Sequence, residues 1–321
     1  MRIVLCYPVE AGHVEQIRAA APGWEVIDAG QQRIADELPT ASILCGHVKV
    51  PVPWDEVVSK GQLKWIQSSA AGLDHCLVPS VVDSDIQVTS ASGVLADQVA
   101  EHTLALILAS LRRLPLFWRA QGEKQFQRQP TRDLHRATVG IVGFGGIGRR
   151  VAELLAGFKT RIVATDMFPV DQPDHVDQLW PADQLPRLLG QSDIVILCVP
   201  LTEVTHGMIN ARMFGMMKPQ ALLVNVARGP IVVEADLVEA LRRQTIAAAA
   251  LDVTAQEPLP PESALWDLAN VLITPHVAGQ SVRRSDDMTD FFCQNLDRFL
   301  RGQPLRNLVD KRLGYPVRSG H

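Results

Sequence analysis

The stretch from Thr138 to Ala156 constrains this 321-residue chain more than any other part of it. A short apolar run, Val139–Val142, leads into Gly143-Phe144-Gly145-Gly146-Ile147-Gly148, and an amphipathic helical segment, Ile147–Ala156, follows at once. Glycines at this spacing between a strand and a helix have separate tasks. The first permits a tight turn, the second lets backbone approach a pyrophosphate, and the third brings helix and strand close together. The opened helix end offers amide donors and the positive end of its dipole to an anion. Asp166 closes the next strand 18 residues after Gly148. An acidic side chain there accepts hydrogen bonds from the adenosine ribose and repels the extra phosphate of NADP. Neither Arg nor Lys follows it at Met167, Phe168 or Pro169. The spacing therefore predicts a dinucleotide site that selects NAD.

The rest of the chain supplies a fold for that loop. Apolar, β-rich runs at Ile3–Cys6, Trp24–Ile27, Ile43–Cys45, Leu63–Ile66 and Ile86–Val88 alternate with helix-compatible stretches. This alternation predicts a small parallel sheet. A long helix is expected over Asp97–Arg113, ended by Pro115, with Gln121–His135 as a connecting loop. Alternation then restarts at Val139–Val142, with Ile162–Thr165, Ile194–Val199, Leu222–Val226, Ile246–Leu251 and Val271–Ile273 as strands and Glu234–Arg243 as one of the helices. Near-continuous apolar strands covered by helices on both faces read as a doubly wound α/β sheet. A last amphipathic helix, Ser285–Leu300, is expected to return to the first domain.

Composition narrows the partners. The net charge is −4, without long like-charge blocks, so nothing favours a nucleic acid or an anionic membrane surface. The most apolar long run, Val99–Leu111, contains Glu101 and His102 and falls short of the roughly 20 residues of a membrane span. The apolar stretch at the N-terminus is too short for a signal peptide. Five widely spaced cysteines, with no Cys-x-x-Cys pair, fit neither a disulfide framework nor a structural zinc site. No metal is expected, and free thiols in a reducing cytoplasm are.

Three residues could work together beside the dinucleotide loop. Arg228, Glu257 and His276 each sit just past one of three successive predicted strands. Ligands of open α/β sheets collect beyond the carboxyl ends of strands. Arg offers a planar fork for a carboxylate and a carbonyl oxygen. A His–Glu pair is a proton-transfer unit in which the carboxylate orients the ring. Each residue taken singly also reads as an ordinary turn or loop residue.

Taken in order, Gly143–Gly148, Asp166, Val199-Pro-Leu-Thr202, Val224-Asn-Val-Ala-Arg-Gly229, Leu251-Asp-Val253, Glu257-Pro258 and Pro275-His276 resemble the D-2-hydroxyacid dehydrogenase family. That family includes phosphoglycerate dehydrogenases and glyoxylate/hydroxypyruvate reductases. Ser69-Ala70-Ala71-Gly72-Leu-Asp74 and Val99-Ala-Glu-His102 extend the likeness over most of the chain. The resemblance implies an α/β protein of two doubly wound parallel-sheet domains. A flavodoxin-like substrate domain, residues 1–98 and 281–321, would hold an inserted Rossmann NAD-binding domain, residues 99–280. It implies that Arg228 binds the substrate carboxylate and keto oxygen, that His276 is the acid/base, and that Glu257 is its partner. Amides around Ala70, Ala71 and Gly72 would hold the carboxylate. Pro200 and Thr205 would line the adenine–ribose side, with Val199 and Ala227 also at the cofactor and Asp252 near the nicotinamide amide. The reaction implied is hydride exchange between NAD and a small D-2-hydroxy acid of the glyoxylate, hydroxypyruvate or 3-phosphoglycerate class.

The chain departs from the family pattern in two places. Leu134-His-Arg-Ala137 replaces the usual Leu-x-Gly-Lys turn, and Gln125–Thr131 lacks the Trp that many relatives carry. Formate dehydrogenases of the family carry Gln where Glu257 stands, which argues against formate. Lys49, after the third predicted strand, is a candidate for a second anionic group on the substrate. Relatives also imply a homodimer, with Asp97–Arg113 at the contact. The alternative from another class is an NAD(H)-sensing module like the corepressors called C-terminal binding proteins, which share the architecture.

Overall fold

A computed structural model describes residues 1–168 and 170–316. Pro169, named above as following Asp166, lies outside the described residues. The chain forms two compact units: Met1–Leu95 with the described part of Ser281–His321, and Ala96–Gln280.

In the first unit, β1 (Arg2–Cys6), β2 (Glu25–Asp28), β3 (Ile43–Gly46), β4 (Trp65–Ser68) and β5 (Gln87–Thr89) form one sheet. Its order is β2-β1-β3-β4-β5, and every pairing is parallel. That order reverses direction between β1 and β3, as in flavodoxin-like sheets. Alternate residues of each strand feed opposite cores. Val4, Leu44, Ile66 and Val88 pack on one face, and Ile3, Leu5, Ile43 and Trp65 on the other. This double burial is why the strands read as continuous apolar runs. The helix Arg284–Leu300 covers the second face, setting Phe292 and Phe299 with ring centroids 5.3 Å from Trp65.

A buried polar chain ties that helix to the sheet. Trp65 Nε1 donates to Thr89 Oγ1 at 2.8 Å, and Thr89 Oγ1 donates to Gln67 Oε1 at 2.7 Å. Asn295 Nδ2 donates to the same oxygen at 3.0 Å. Each partner is satisfied, so the network is compatible with a dry core.

In the second unit the strands are β6 (Thr138–Val142), β7 (Arg161–Asp166), β8 (Gln178–Pro181), β9 (Ile194–Leu197), β10 (Leu222–Asn225), β11 (Ala248–Leu251) and β12 (Val271–Ile273). Their order is β12-β11-β10-β9-β6-β7-β8, again wholly parallel. The direction of winding turns between β6 and β9, which is the switch point of a Rossmann sheet. Val139, Ile141, Ile196 and Val224 face one core, and Val142, Val195, Leu197 and Leu223 the other. The helix Ala96–Leu111 buries Val99, Ala100, Leu106, Ile107 and Leu111 and packs beside the helix Gly146–Ala156.

Two local expectations need correction. Pro115 does more than stop a helix, because it stands in the first turn of a second one, Leu114–Gly122. Proline is favoured there, where its missing N–H has no intrahelical acceptor to lose. The start of the expected Gln121–His135 loop is therefore helical. The edge strand β8 also had no counterpart among the predicted elements. Gln-Leu-Trp-Pro is too short and too polar for a periodicity signal, and its proline is tolerated at a sheet edge. Among the described residues no helix is long and apolar enough to cross a membrane.

Candidate active site

The glycine loop sits at the switch point of the second sheet. Gly143 leaves β6 with φ +95°, and a Cβ there would lie 2.8 Å from the carbonyl carbon and oxygen of Cys198. Only glycine lets the loop after β6 run this close to the loop after β9. Gly148 packs so tightly under the Gly143 carbonyl that any side chain would overlap it. Gly145 differs: it caps the helix Gly146–Ala156, and a Cβ on it would meet nothing within 4 Å. Open space at the N-terminus of an 11-residue helix is what a pyrophosphate needs, so these residues fit a dinucleotide. Gly146 and Ile147 form the first turn of that helix.

The Phe144 ring is fully buried in the core, so this residue brings only backbone to the loop. Its N–H donates to Asp166 Oδ2 at 2.7 Å, while the Phe168 N–H donates to Oδ1 at 3.0 Å. Asp166 thus buckles the glycine loop to the end of β7 as well as carrying a charge. On the other side of the switch point, Val199 and Pro200 follow β9. Thr205 Oγ1 donates to the Pro200 carbonyl at 2.7 Å and accepts from the Thr202 N–H at 2.8 Å, which folds this loop on itself.

Arg228, Glu257 and His276 stand on the loops after β10, β11 and β12, three adjacent strands. Asn225 shapes the first loop: its Oδ1 accepts from the Ala227 N–H and its Nδ2 donates to the Arg228 carbonyl, both at 3.0 Å. Gly229 then backs onto the Thr254 carbonyl so closely that a Cβ would overlap it. This contact locks the Arg228 loop to the Glu257 loop. Ala227 is buried, and its carbonyl accepts from Arg228 Nη1 at 2.7 Å.

Glu257 Oε2 lies 2.6 Å from His276 Nδ1, and its Oε1 accepts from the Thr254 N–H at 3.2 Å. The two side chains are 39% and 47% exposed. Solvent screens an ion pair of this exposure, so its value lies in orienting the ring rather than in stability. His276 adopts φ +53°, a conformation L-residues with a Cβ seldom hold. Its N–H donates to the Asp252 carbonyl at 2.7 Å and to the Thr274 carbonyl at 3.0 Å. The Asp252 side chain lies behind this turn, 2% exposed, with the Val277 and Ala278 amides donating to its carboxylate at 2.9 Å.

In the first unit, Ala70, Ala71 and Gly72 follow β4. The Ala70 N–H donates to Ser68 Oγ at 3.1 Å, and that oxygen lies 2.9 Å from His75 Nε2. Ala71 is exposed and Gly72 half-buried. Lys49 is exposed, and its N–H donates to Gln31 Oε1 at 2.8 Å.

Sequence reasoning passed over Asn225, Thr254 and Thr274, which shape the loops without reaching for a ligand. The available signal was position: polar residues at the carboxyl ends of otherwise apolar strands need a reason to be there.

Comparison with known proteins agrees with this geometry. Residues 104–278, more than half of the chain, match the model of the D-isomer specific 2-hydroxyacid dehydrogenase NAD binding domain. A glyoxylate reductase of Thermofilum pendens is 37% identical over 259 residues, covering 78% of this chain and 76% of that protein. A glycerate dehydrogenase of Methylorubrum extorquens is 33% identical over 289 residues, covering 87% of this chain and 88% of that one. The crystal structure of a D-isomer specific 2-hydroxyacid dehydrogenase from Xanthobacter autotrophicus, in complex with NADPH and MES, superposes with a TM-score of 0.83. It is 31% identical and covers 98% of this chain and 99% of that one. A glycine loop at a Rossmann switch point, a His–Glu pair beyond the carboxyl ends of two strands of the same sheet and these matches lead to one conclusion: the chain belongs to the D-isomer specific 2-hydroxyacid dehydrogenase family.

Proposed function

We propose that the protein catalyses reversible hydride transfer between NAD(H) and a small D-2-hydroxy acid or its 2-keto acid. The substrate class is that of glyoxylate, hydroxypyruvate or 3-phosphoglycerate. The observation that carries this reading is the 2.6 Å contact between His276 and Glu257. Both stand on loops after neighbouring strands, with Arg228 on the loop next to them.

The loop Gly143–Gly148 and Asp166 hold the dinucleotide, with Val199, Pro200, Thr205, Ala227 and Asp252 on the remaining sides of its site. When bound, the nicotinamide supplies or accepts the hydride. His276 gives a proton from Nε2 to the keto oxygen in reduction and takes it back in oxidation, while Glu257 on Nδ1 keeps the ring aimed. Such acid/base help is typically worth 10² to 10⁴-fold, or about 3–5 kcal/mol of barrier. The Arg228 guanidinium binds the substrate carboxylate and stabilises negative charge developing on the keto oxygen. The amides of Ala70, Ala71 and Gly72 are the first unit's candidates for holding a substrate carboxylate. Lys49 is the candidate for a second anionic group.

Preference for NAD over NADP rests on the Asp166 carboxylate. The Xanthobacter relative, by contrast, was crystallised with NADPH. The protein acts as a homodimer in this reading. Support comes from apolar side chains left in the open on and after the helix Leu114–Gly122, with Trp118 78% and Phe126 93% exposed. They lie beyond the helix Ala96–Leu111, where the contact was expected. A reducing cytoplasm fits five free cysteines. Burial pushes the Cys6 and Cys198 thiols up to about 12 and the Cys293 thiol up to about 11, so they stay neutral at ordinary pH.

A panel of glyoxylate, hydroxypyruvate, pyruvate and bulkier ketoacids, each with NADH and NADPH, tests the reading. Turnover of one of the small acids with NADH is the expected result. No turnover with either cofactor refutes it and favours a sensor of the same architecture.

A further inference from the structure

The turn that carries His276 is anchored from behind by a polar chain that runs from Asp252 through Thr274 to His102. The Asp252 carboxylate accepts from Thr274 Oγ1 at 2.6 Å and from the Val277 and Ala278 amides at 2.9 Å. Those donors flank His276 on both sides in sequence, so they hold the segment whose central residue has φ +53°. A hydroxyl has one proton to give, and an ionised carboxylate can only accept. The Thr274 proton therefore goes to Asp252. The remaining contact of Thr274 Oγ1, 2.9 Å to His102 Nε2, must be a bond that His102 donates. This fixes the His102 tautomer with its proton on Nε2. The same nitrogen lies 3.4 Å from Asp252 Oδ1.

His102 stands on the helix Ala96–Leu111, far in sequence from the turn it reaches. We propose that His102 is a positioning residue: through Thr274 and Asp252 it holds the turn Thr274–Ala278, and with it the His276 ring, in one orientation. The assignment builds on the reading of His276 as the proton donor, but its physical content is the order of that ring. A carboxylate that is 2% exposed depends on every donor it has, since a lost one leaves charge uncompensated. A residue held in the left-handed region keeps that shape only while its surroundings over-determine it. Removing the Thr274 hydroxyl takes a donor from the carboxylate, and removing His102 takes from that hydroxyl the bond that fixes where it points. If His102 instead serves only to pack its helix, the His276 ring will not respond.

The test compares two removals, Thr274→Val and His102→Leu, with two replacements that keep the donors, Thr274→Ser and His102→Gln. The two removals lie on different elements, so one still reports if the other fails to fold. The readout is the ¹H–¹⁵N correlation of the His276 ring at one fixed pH, assigned from its loss in His276→Asn. Each removal is expected to broaden the His276 signals at least about twofold, while each conservative variant keeps wild-type widths. For a ketoacid that the wild type reduces, kcat falls about tenfold in the removals with KM within about twofold, the mark of lost orientation rather than lost binding. An unchanged His276 resonance in a folded removal variant overturns the assignment. Broadening in the removals, together with a wild type that reduces no ketoacid, upholds the positioning and refutes the proposed function instead.

Discussion

The Glu257 carboxylate is shared between the ring of His276, 2.6 Å away, and the backbone N–H of Thr254, 3.2 Å away. One oxygen is fixed by the loop while the other aims an imidazole, so the carboxylate cannot follow the ring if it rotates. Replacing His276 with Asn removes the transferable proton but leaves the glycine loop intact. Turnover of the best ketoacid should fall about 10² to 10⁴-fold, with NADH affinity by fluorescence titration within about twofold. Glu257→Gln keeps the shape and loses the charge, and a smaller drop, about tenfold or more, is expected in kcat. Wild-type turnover in either variant contradicts the roles assigned here.

Asp166 is bonded through both oxygens, to the Phe144 and Phe168 amides. Asp166→Ala removes the charge that repels a 2′-phosphate. The ratio of kcat/KM for NADPH to that for NADH should rise at least about tenfold, roughly 1.4 kcal/mol. Loss of the Phe144 bond should also weaken NADH binding itself. A ratio that does not move places cofactor choice elsewhere.

Gln67 is the common acceptor of the Thr89 hydroxyl and the Asn295 amide in the first unit. Gln67→Leu takes this acceptor from both buried donors, leaving Thr89 Oγ1 only the Ile66 carbonyl at 3.4 Å and Asn295 Nδ2 only the Arg306 carbonyl at 3.0 Å, at a cost of about 1–3 kcal/mol for each lost bond. Denaturant unfolding of the first unit should show a loss of about 2–4 kcal/mol, with the second unit's transition unmoved. A loss below about 0.5 kcal/mol means that water enters and replaces the side chain.

Asp193, just before β9, accepts from Lys218 Nζ at 2.8 Å and from the Thr138 N–H at 2.9 Å. Burial alone would raise its carboxyl, but the Lys218 and Thr138 bonds, with the charges of Lys218 and Arg132, outweigh it and hold the group below 3.8. A carboxylate favoured in the fold adds stability above its unfolded value, lost as the pH falls through the folded one. Asp193→Asn should therefore be less stable than wild type at neutral pH by up to about 1 kcal/mol, given its partial exposure. The gap should close in acid, measured by urea unfolding at the lowest pH that still gives a cooperative transition. A gap that widens in acid reverses the sign.

Much of this architecture was legible because its signals are local. Three glycines with different neighbours, Gly143 against Cys198, Gly148 under Gly143 and Gly145 in the open, match the three tasks their spacing implied. Double-faced burial made the strands apolar throughout, so their number was nearly readable. The strand β8 escaped because an edge strand of four residues ending in proline carries no periodicity. The supporting cast of the His276 turn escaped for a different reason. Asp252, Thr274 and His102 meet only once the second unit has folded, and nothing in the spacing of residues 102 and 274 foretells a 2.9 Å bond. Strand-end position suggests a cofactor contact for Asp252, but it carries no sign of the bonds from Thr274, Val277 and Ala278 that also make it a brace.

The most direct measurement follows NADH consumption with hydroxypyruvate and pyruvate by wild type and His276→Asn, and determines the configuration of the hydroxy acid formed. Consumption that depends on the ketoacid, yields the D-acid and all but vanishes in the variant is the expected result. Absence of consumption with these and the other ketoacids, formation of the L-acid, or equal rates in the two proteins contradicts proton transfer by a Glu257-aimed His276.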